Sequence, residues 1–340
     1  MIKAAIVGLG WWGRTLVEGV SDRSELIKFT AGVTDRSSDE AREFACSHGF
    51  SLSPTFEAVL ADPDIDAVVL VTPNSLHADG VVAAARAGKH VFCEKPLALT
   101  TEDAIRAVEA VKTAGVTLSV GYNRRLHPEM VKLKERIGCG DLGDILHIES
   151  TMAFPNALYL KSSQWRASKD ESPVGGLMPM GVHAIDGMID LVGFIDEVYC
   201  QSFRRAIEVD ADDTTSILFR MCEGMSGYLG TMTATGSTFS FQVFGSKGYV
   251  RLQGKTHEAG ASSEERRTEL FDACVFKPIK GSSKTWRAEP FDLTRAALEA
   301  FAKAAAGDTS VLIPSEQLLH GVAVTEAIMR SATKSRPEKV

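Results

Sequence analysis

The sequence predicts an α/β protein, with an N-terminal Rossmann domain, a doubly wound parallel sheet, over residues 1–122 and a C-terminal α+β domain with an open, mainly antiparallel sheet over 123–340. Three observations carry this reading. A glycine-rich turn at Gly8, Gly10 and Gly13 directly follows the apolar run Lys3 to Val7. Through the first third of the chain, short continuous apolar runs alternate with helical patterns, as strands buried on both faces and their crossover helices do. Beyond about Arg124 the rhythm changes to successive strands separated by turn residues.

The first run and its turn set the frame. Gly8 allows a tight turn, Gly10 lets backbone approach a pyrophosphate, and Gly13 lets a helix over about 13–20 pack close to the strand with its amides aimed at an anion. Trp11 and Trp12 occupy the variable positions. The spacing acquires weight from the strand before it and the helix after it, since glycine clusters also mark ordinary turns. The second strand, Ile27 to Val33, ends at Thr34 and Asp35, about twenty residues past the last glycine, where a carboxylate accepts from ribose hydroxyls and favours NAD. Arg36 and Ser37 follow and suit a 2'-phosphate, so NADP stays open. Asp35 also reads as a cap for a helix starting near Ser38.

Ala67 to Val71 is the next buried run, followed by the turn Thr72-Pro73-Asn74 and a helix over about 75–87 that breaks at Gly88. His90 to Cys93 is a further strand, and it ends at Glu94-Lys95-Pro96. A lysine at the end of a buried strand, locked by a proline and beside a nucleotide site, is placed for proton transfer rather than solubility. The capping sequence from Thr100 opens a helix over about 101–114, and Thr117 to Val120 is the next strand. Ligands of doubly wound sheets bind at the carboxyl ends of the strands. Gly8 to Gly13, Asp35, Thr72 to Asn74, Glu94 to Pro96 and Gly121 to Asn123 therefore converge on one edge.

The later strands read as Ile145 to Met152, Glu197 to Arg204, Thr214 to Met221, Met225 to Ala234, Phe239 to Gly245 and Tyr249 to Gln253. A helix over about 181–192 interrupts them, and helices over 293–306 and 315–331 close the chain with apolar residues at three-to-four spacing. The polar stretch from Gly254 to Lys284 reads as a surface excursion.

Composition narrows the partners. The 340 residues, 44% hydrophobic with 37 basic and 44 acidic side chains, carry a net charge of −7 and no basic run of the kind that tracks nucleic acid. No apolar stretch approaches the roughly eighteen residues of a membrane span, and the N-terminus runs straight into a strand, which points to a cytoplasmic protein. Six scattered cysteines without paired short spacing read as free thiols rather than a metal site.

Nearly the whole chain resembles the family of glucose-fructose oxidoreductase, inositol dehydrogenase and rhizopine-catabolism oxidoreductases. The resemblance rests on Gly8-Leu9-Gly10-Trp11-Trp12-Gly13, on Val71-Thr72-Pro73-Asn74-Ser75-Leu76-His77, and on Gly88 through Glu94-Lys95-Pro96. Trp165-Arg166 and Gly175-Gly176 through His183-Ala184-Ile185-Asp186 add to it. It implies NAD or NADP bound between the two domains and a homodimer or homotetramer built by stacking the C-terminal sheets. An apolar sheet face left bare would otherwise invite aggregation.

The resemblance also implies that Lys95 contacts substrate and assists proton transfer near the nicotinamide, and it makes Lys95–Pro96 a candidate cis peptide. A plain strand-ending proline is the alternative. Glu94 pairs with Lys95 or with the nicotinamide environment, while Asn74 and His77 lie beside the nicotinamide, His77 alternatively serving as a structural cap. Lys89 and His90 read as structural. Oxidising a carbinol requires a base for the hydroxyl proton. In the family this is a histidine four residues after an aspartate; His183 matches the histidine, but Pro179 stands in the aspartate's place and neither orients an imidazole nor binds a hydroxyl. The pair becomes Lys95 with His183, and Asp186 is read as orienting His183 or as packing. Tyr122, Asn123, Arg125, His127, Trp165 and Arg166 are substrate-side candidates. Arg125 and Arg166 suit a substrate carboxylate, with ion pairing as the alternative for each.

The expected protein is an NAD(P)-dependent oxidoreductase acting on a hydroxyl or carbonyl of a sugar, cyclitol or hydroxylated ring acid. Two rivals are a lyase or hydrolase that oxidises its substrate transiently, and a nucleotide sensor that retains the fold without catalysis.

Overall fold

The computed structural model describes residues 1–35, 39–255, 260–269, 271–308 and 313–340. They form two compact units, one of residues 1–123 with 292–319 and one of residues 124–291 with 320–340.

The first unit is built on a six-stranded sheet of β1 (Ile2–Val7), β2 (Ile27–Val33), β3 (Ser51–Leu52), β4 (Ala67–Leu70), β5 (His90–Cys93) and β6 (Leu118–Val120). Its order is β3-β2-β1-β4-β5-β6 and every pair is parallel. That order reverses direction between β1 and β4, which opens a crevice at their carboxyl ends. All four side chains of β4 are buried, as are Val91, Phe92 and Cys93 of β5, so these strands are apolar throughout because helices cover both faces. The helix Thr101–Ala114 begins where Thr100 accepts from the Asp103 amide and ends at Gly115 with φ 67°, a left-handed C-cap.

The helix Leu293–Ala305 belongs to this first unit, although its place in the sequence had assigned it to residues 123–340. Its amphipathic stripe suits any apolar layer, and Phe301 settles it on β5 with ring centroids of Phe301 and Phe92 5.8 Å apart.

The second unit carries a nine-stranded mixed sheet. Its strands are β7 (Ile145–Ala153), β8 (Ile195–Phe203), β9 (Thr214–Met221), β10 (Ser226–Met232), β11 (Thr238–Gly245) and β12 (Gly248–Gly254), then β14 (Phe271–Pro278), β15 (Lys284–Trp286) and β17 (Glu338–Lys339); β13 (Thr268–Glu269) and β16 (Phe291–Asp292) lie outside it. Within the sheet β7 and β10 pair parallel and the other neighbours antiparallel. The stretch from Gly254 to Lys284, expected as a surface excursion, thus contains a sheet strand. Phe271 and Cys274 of β14 are buried, and the charged residues before them and the polar turn after them hide this short apolar pattern. Among the described residues no helix is long and apolar enough to cross a membrane.

Candidate active site

In the first unit the predicted residues sit on the carboxyl edge of the parallel sheet. The glycine turn does what its spacing requires. Gly8 has φ 103°, and a Cβ there would lie 2.5 Å from the Val71 carbonyl oxygen; one on Gly13 would lie 2.0 Å from that of Gly8. Only glycine fits either position. A Cβ on Gly10 would meet nothing within 4 Å, so this residue faces open space where an anion can approach backbone. The helix begins at Trp11, two residues earlier than the sequence reading placed it. Trp11 and Trp12 therefore form its first turn, with ring centroids 5.4 Å apart and Trp11 half-exposed. Asp35 is exposed at the end of β2, while Arg36 and Ser37 lie outside the described residues.

The three following strand ends are tied together. Glu94 N–H donates to Leu70 O (2.9 Å) and Gly121 N–H to Cys93 O (2.9 Å), which carries the ladder past β4, β5 and β6 into their turns. Asn74 is buried beyond Pro73, and the Thr72 hydroxyl oxygen is buried with no hydrogen-bond partner among the described residues. The Lys95–Pro96 bond is cis. Lys95 N–H donates to Glu94 Oε2 at 3.3 Å, and a Cβ on Gly121 would lie 2.8 Å from that oxygen, so the buried Glu94 carboxylate lies over a glycine that makes room for it. His77 is almost fully buried, with Nδ1 2.6 Å from Pro96 O and Nε2 3.0 Å from Thr72 O. Tyr122 is buried directly past β6, and Asn123 follows it, half-buried. Burial and the neighbouring Glu94 push the Cys93 thiol up, which keeps it protonated and inert.

Lys89 is structural, as expected: its Nζ donates to Asp62 O (2.6 Å) and Ile65 O (2.7 Å). His90 Nδ1 accepts from Thr117 N–H at 3.1 Å, and burial lowers the ring's pKa, with Asp66 opposing.

In the second unit, His183 lies on the helix Gly181–Val192. Every other residue from Gly181 to Ile189 is buried, and His183 alone in that run is partly exposed. Pro179 stands outside the helix, whose N-cap is Met180, rather than in its first turn. The segment before it is held by two glycines. A Cβ on Gly175, at φ 57°, would lie 2.5 Å from Asp212 O, and one on Gly176 would lie 2.8 Å from the Thr231 side chain. Asp213, beside that contact, accepts from the amides of Arg205, Ala206 and Ile207 and from the Thr214 hydroxyl.

Of the two roles expected for Arg125, ion pairing is the one its contacts form. Its Nε and Nη2 donate to the two carboxylate oxygens of Asp186 at 2.7 and 2.6 Å, and its Nη1 donates to Asp190 at 2.9 Å. The guanidinium is engaged in a buried fork, so ion pairing describes it better than recognition of a substrate carboxylate. The same contacts take up Asp186, which packs against Arg125. Burial pushes the Asp186 carboxyl up to about 6, against the pull of Arg125. Asp190, missed in the sequence, was signalled by its i+4 spacing from Asp186, which puts two carboxylates on one helix face. His127 is buried as the cap of the helix Pro128–Gly138, and its Nδ1 accepts from Glu129 N–H at 3.1 Å. Trp165 and Arg166 stack on each other, the guanidinium carbon 4.1 Å from the ring centroid.

The first unit fits a pyridine dinucleotide. Gly10 leaves the space, the following helix presents amides, Asp35 is an exposed carboxylate just past the end of β2, and the buried Thr72 hydroxyl lacks a partner among the described residues. Among those residues no group of three His, Cys, Asp or Glu is placed to hold a metal ion.

Comparison with known proteins agrees. Residues 2–122 match the model of an oxidoreductase family with an NAD-binding Rossmann fold, and residues 130–251 match the GFO/IDH/MocA C-terminal domain. The 2,7-anhydro-N-acetylneuraminate hydratase of Escherichia coli is 30% identical over 74% of this chain and 68% of its own length. Myo-inositol 2-dehydrogenase of Thermotoga maritima is 29% identical over 73% of this chain and 74% of its own. An uncharacterized oxidoreductase of Bacillus subtilis, YrbE, is 34% identical over 59% of this chain, and the match spans 57% of YrbE. Among solved structures, a putative NADPH-dependent oxidoreductase from Desulfitobacterium hafniense superposes with a TM-score of 0.88 at 26% identity, covering 99% of this chain and 97% of that one.

Proposed function

Because this chain belongs to the GFO/IDH/MocA family of NAD-binding oxidoreductases, whose members similar to it include sugar and cyclitol dehydrogenases, we propose that it moves a hydride between a nicotinamide and a hydroxyl or carbonyl of a small polar molecule. The substrate class is a sugar, a cyclitol or a hydroxylated ring acid. NAD is the preferred cofactor, since Asp35 stands where ribose hydroxyls donate, and NADP is the alternative. When bound, the nicotinamide supplies the hydride acceptor or donor. Gly8 to Gly13, Asp35, Thr72, Pro73, Asn74 and Glu94 belong to its binding edge.

Lys95 takes up or gives back the hydroxyl proton, and His183 is the second member of the pair. The observation that supports this most is the Glu94–Pro96 turn, with Glu94 and Pro96 buried and bonded to their neighbours and the half-buried Lys95 between them, at the edge where a dinucleotide belongs. Tyr122, Asn123, Trp165 and Arg166 are assigned to substrate. The sheet of the second unit, with Leu146 and Leu218 exposed on it, is assigned to homodimer or homotetramer assembly.

One observation favours a second reading. Pro179 removes the family aspartate, and one relative is a hydratase. In this reading the cofactor oxidises the substrate transiently and is restored within each turnover. Absorbance at 340 nm, the reduced-nicotinamide band, with a panel of sugars, cyclitols and dihydrodiols separates the readings. Net cofactor reduction is expected; product formation without net change supports the second reading, and cofactor binding without product contradicts both and leaves a sensor.

A further inference from the structure

His77 opens the helix His77–Arg86 and is 1% exposed. Both its ring nitrogens face backbone carbonyl oxygens, Nδ1 that of Pro96 at 2.6 Å and Nε2 that of Thr72 at 3.0 Å. Carbonyl oxygens only accept, whereas a neutral imidazole has a single N–H. The two contacts are both hydrogen bonds only when both nitrogens are protonated. Turning the ring over would set carbon atoms against both oxygens, so the ring orientation does not remove the requirement.

The two carbonyls belong to neighbouring turns. Thr72 lies just past β4, Pro96 directly follows Lys95 past β5, and β4 and β5 pair in register. We propose that His77 is a positioning residue: its ring, carrying both protons, clamps the Lys95–Pro96 turn to the Thr72–Pro73 turn and so fixes where Lys95 stands, rather than contacting the nicotinamide. The kinetic part rests on the role of Lys95 proposed above; the ring-proton part does not. Charged groups on the segments about the ring are Glu94 and Lys95 on the clamped turn, Asp79 and Arg86 on its own helix, and Glu102, Asp103, Arg106, Glu109 and Lys112 on Thr101–Ala114. Asp79 and Asp103 both pair with Arg106 at the surface. The buried Glu94 carboxylate supplies a negative charge within the turn itself.

Two experiments test the clamp. In protein labelled with 15N-histidine, the His77 ring signals are identified by their loss in His77→Asn and read at pH 7.5. Two protonated nitrogens are expected, and one protonated with one bare nitrogen overturns the proposal. In kinetics the two isosteric amides divide the clamp, because the Asn amide reaches the place of Nδ1 and the Gln amide that of Nε2. The Pro96 end is the one that carries Lys95, and with Thr72 released the helix His77–Arg86 still anchors it, so His77→Asn is expected to retain kcat within about threefold, while His77→Gln and His77→Ala lose about ten- to a hundredfold with nucleotide KM unchanged. An equal loss in all three variants, or a raised nucleotide KM with kcat intact, overturns it. If His77→Ala does not fold, the Asn and Gln pair still decides. Should the wild-type protein turn over no substrate at all, the oxidoreductase reading fails and the ring-proton measurement decides the clamp alone.

Discussion

Lys89 and Lys95 flank the same four-residue strand, His90–Cys93, and differ in what surrounds them. At the amino end of β5, the Lys89 ammonium is buried on two backbone carbonyls, which fastens the loop around Asp62 to the sheet. At the carboxyl end the tethers fall on the backbone flanking Lys95: its own N–H on Glu94, and the carbonyl of Pro96 on His77. The contrast teaches that a parallel sheet assigns roles to like residues by edge. Side-chain bonds to backbone at the amino edge stabilise the fold, whereas fixed turns at the carboxyl edge place side chains for ligands.

The largest expected effect breaks the carboxyl edge. Gly13→Ala puts a Cβ 2.0 Å from Gly8 O, and no flexible side chain is there to yield. The turn must shift, and nucleotide affinity measured by energy transfer from Trp11 and Trp12 to NADH should fall by at least about a hundredfold, an overpacking cost of roughly 3 kcal/mol concentrated on the binding turn. An affinity within a fewfold of wild type would show that the turn does not carry the anion.

Of comparable size is the effect of breaking the buried fork of the second unit. Arg125→Met leaves Asp186 and Asp190 without their guanidinium and should cost about 3–5 kcal/mol in urea unfolding. Its pH dependence has a defined sign. The folded Asp186 carboxyl titrates near 6, above its unfolded value, so its contribution to stability is fully present below the unfolded pKa and is lost as pH rises through about 6. Removing Arg125 raises the folded value further, so the variant should lose more stability at pH 8 than at pH 5. A loss independent of pH would contradict the pairing.

A smaller effect sharpens the carboxyl edge. Asp35→Ala should weaken NAD about tenfold, the scale of one charge-assisted hydrogen bond, and NADP less. Equal losses for both would reduce Asp35 to a helix cap.

Much of the first unit was legible in the sequence. Short apolar-rich runs, each followed within two residues by Gly, Pro or an acid, marked strands and strand ends together, and Lys89 was read as structural. What escaped depended on distant partners. For Arg125 the sequence leaves a substrate carboxylate and an ion pair open until the helix Gly181–Val192 brings Asp186 and Asp190 to it from about sixty residues away. The helix Leu293–Ala305 carries an apolar stripe that does not say which sheet it meets; Phe92 answers that. Strand β14 is short and lies between charged and polar segments, which mask its two buried anchors, Phe271 and Cys274.

The two lysines measured side by side separate the two edges of this sheet most directly. For Lys95→Ala we expect turnover to fall by about 10²–10⁴, with NADH energy transfer and Tm unchanged. For Lys89→Ala, the expected result is a loss of about 1–3 kcal/mol of stability as two buried carbonyls lose their donor, with turnover of the folded protein nearly unchanged. Turnover retained in Lys95→Ala, or lost in a folded Lys89→Ala, would contradict the assignment of chemistry to the carboxyl edge of this sheet.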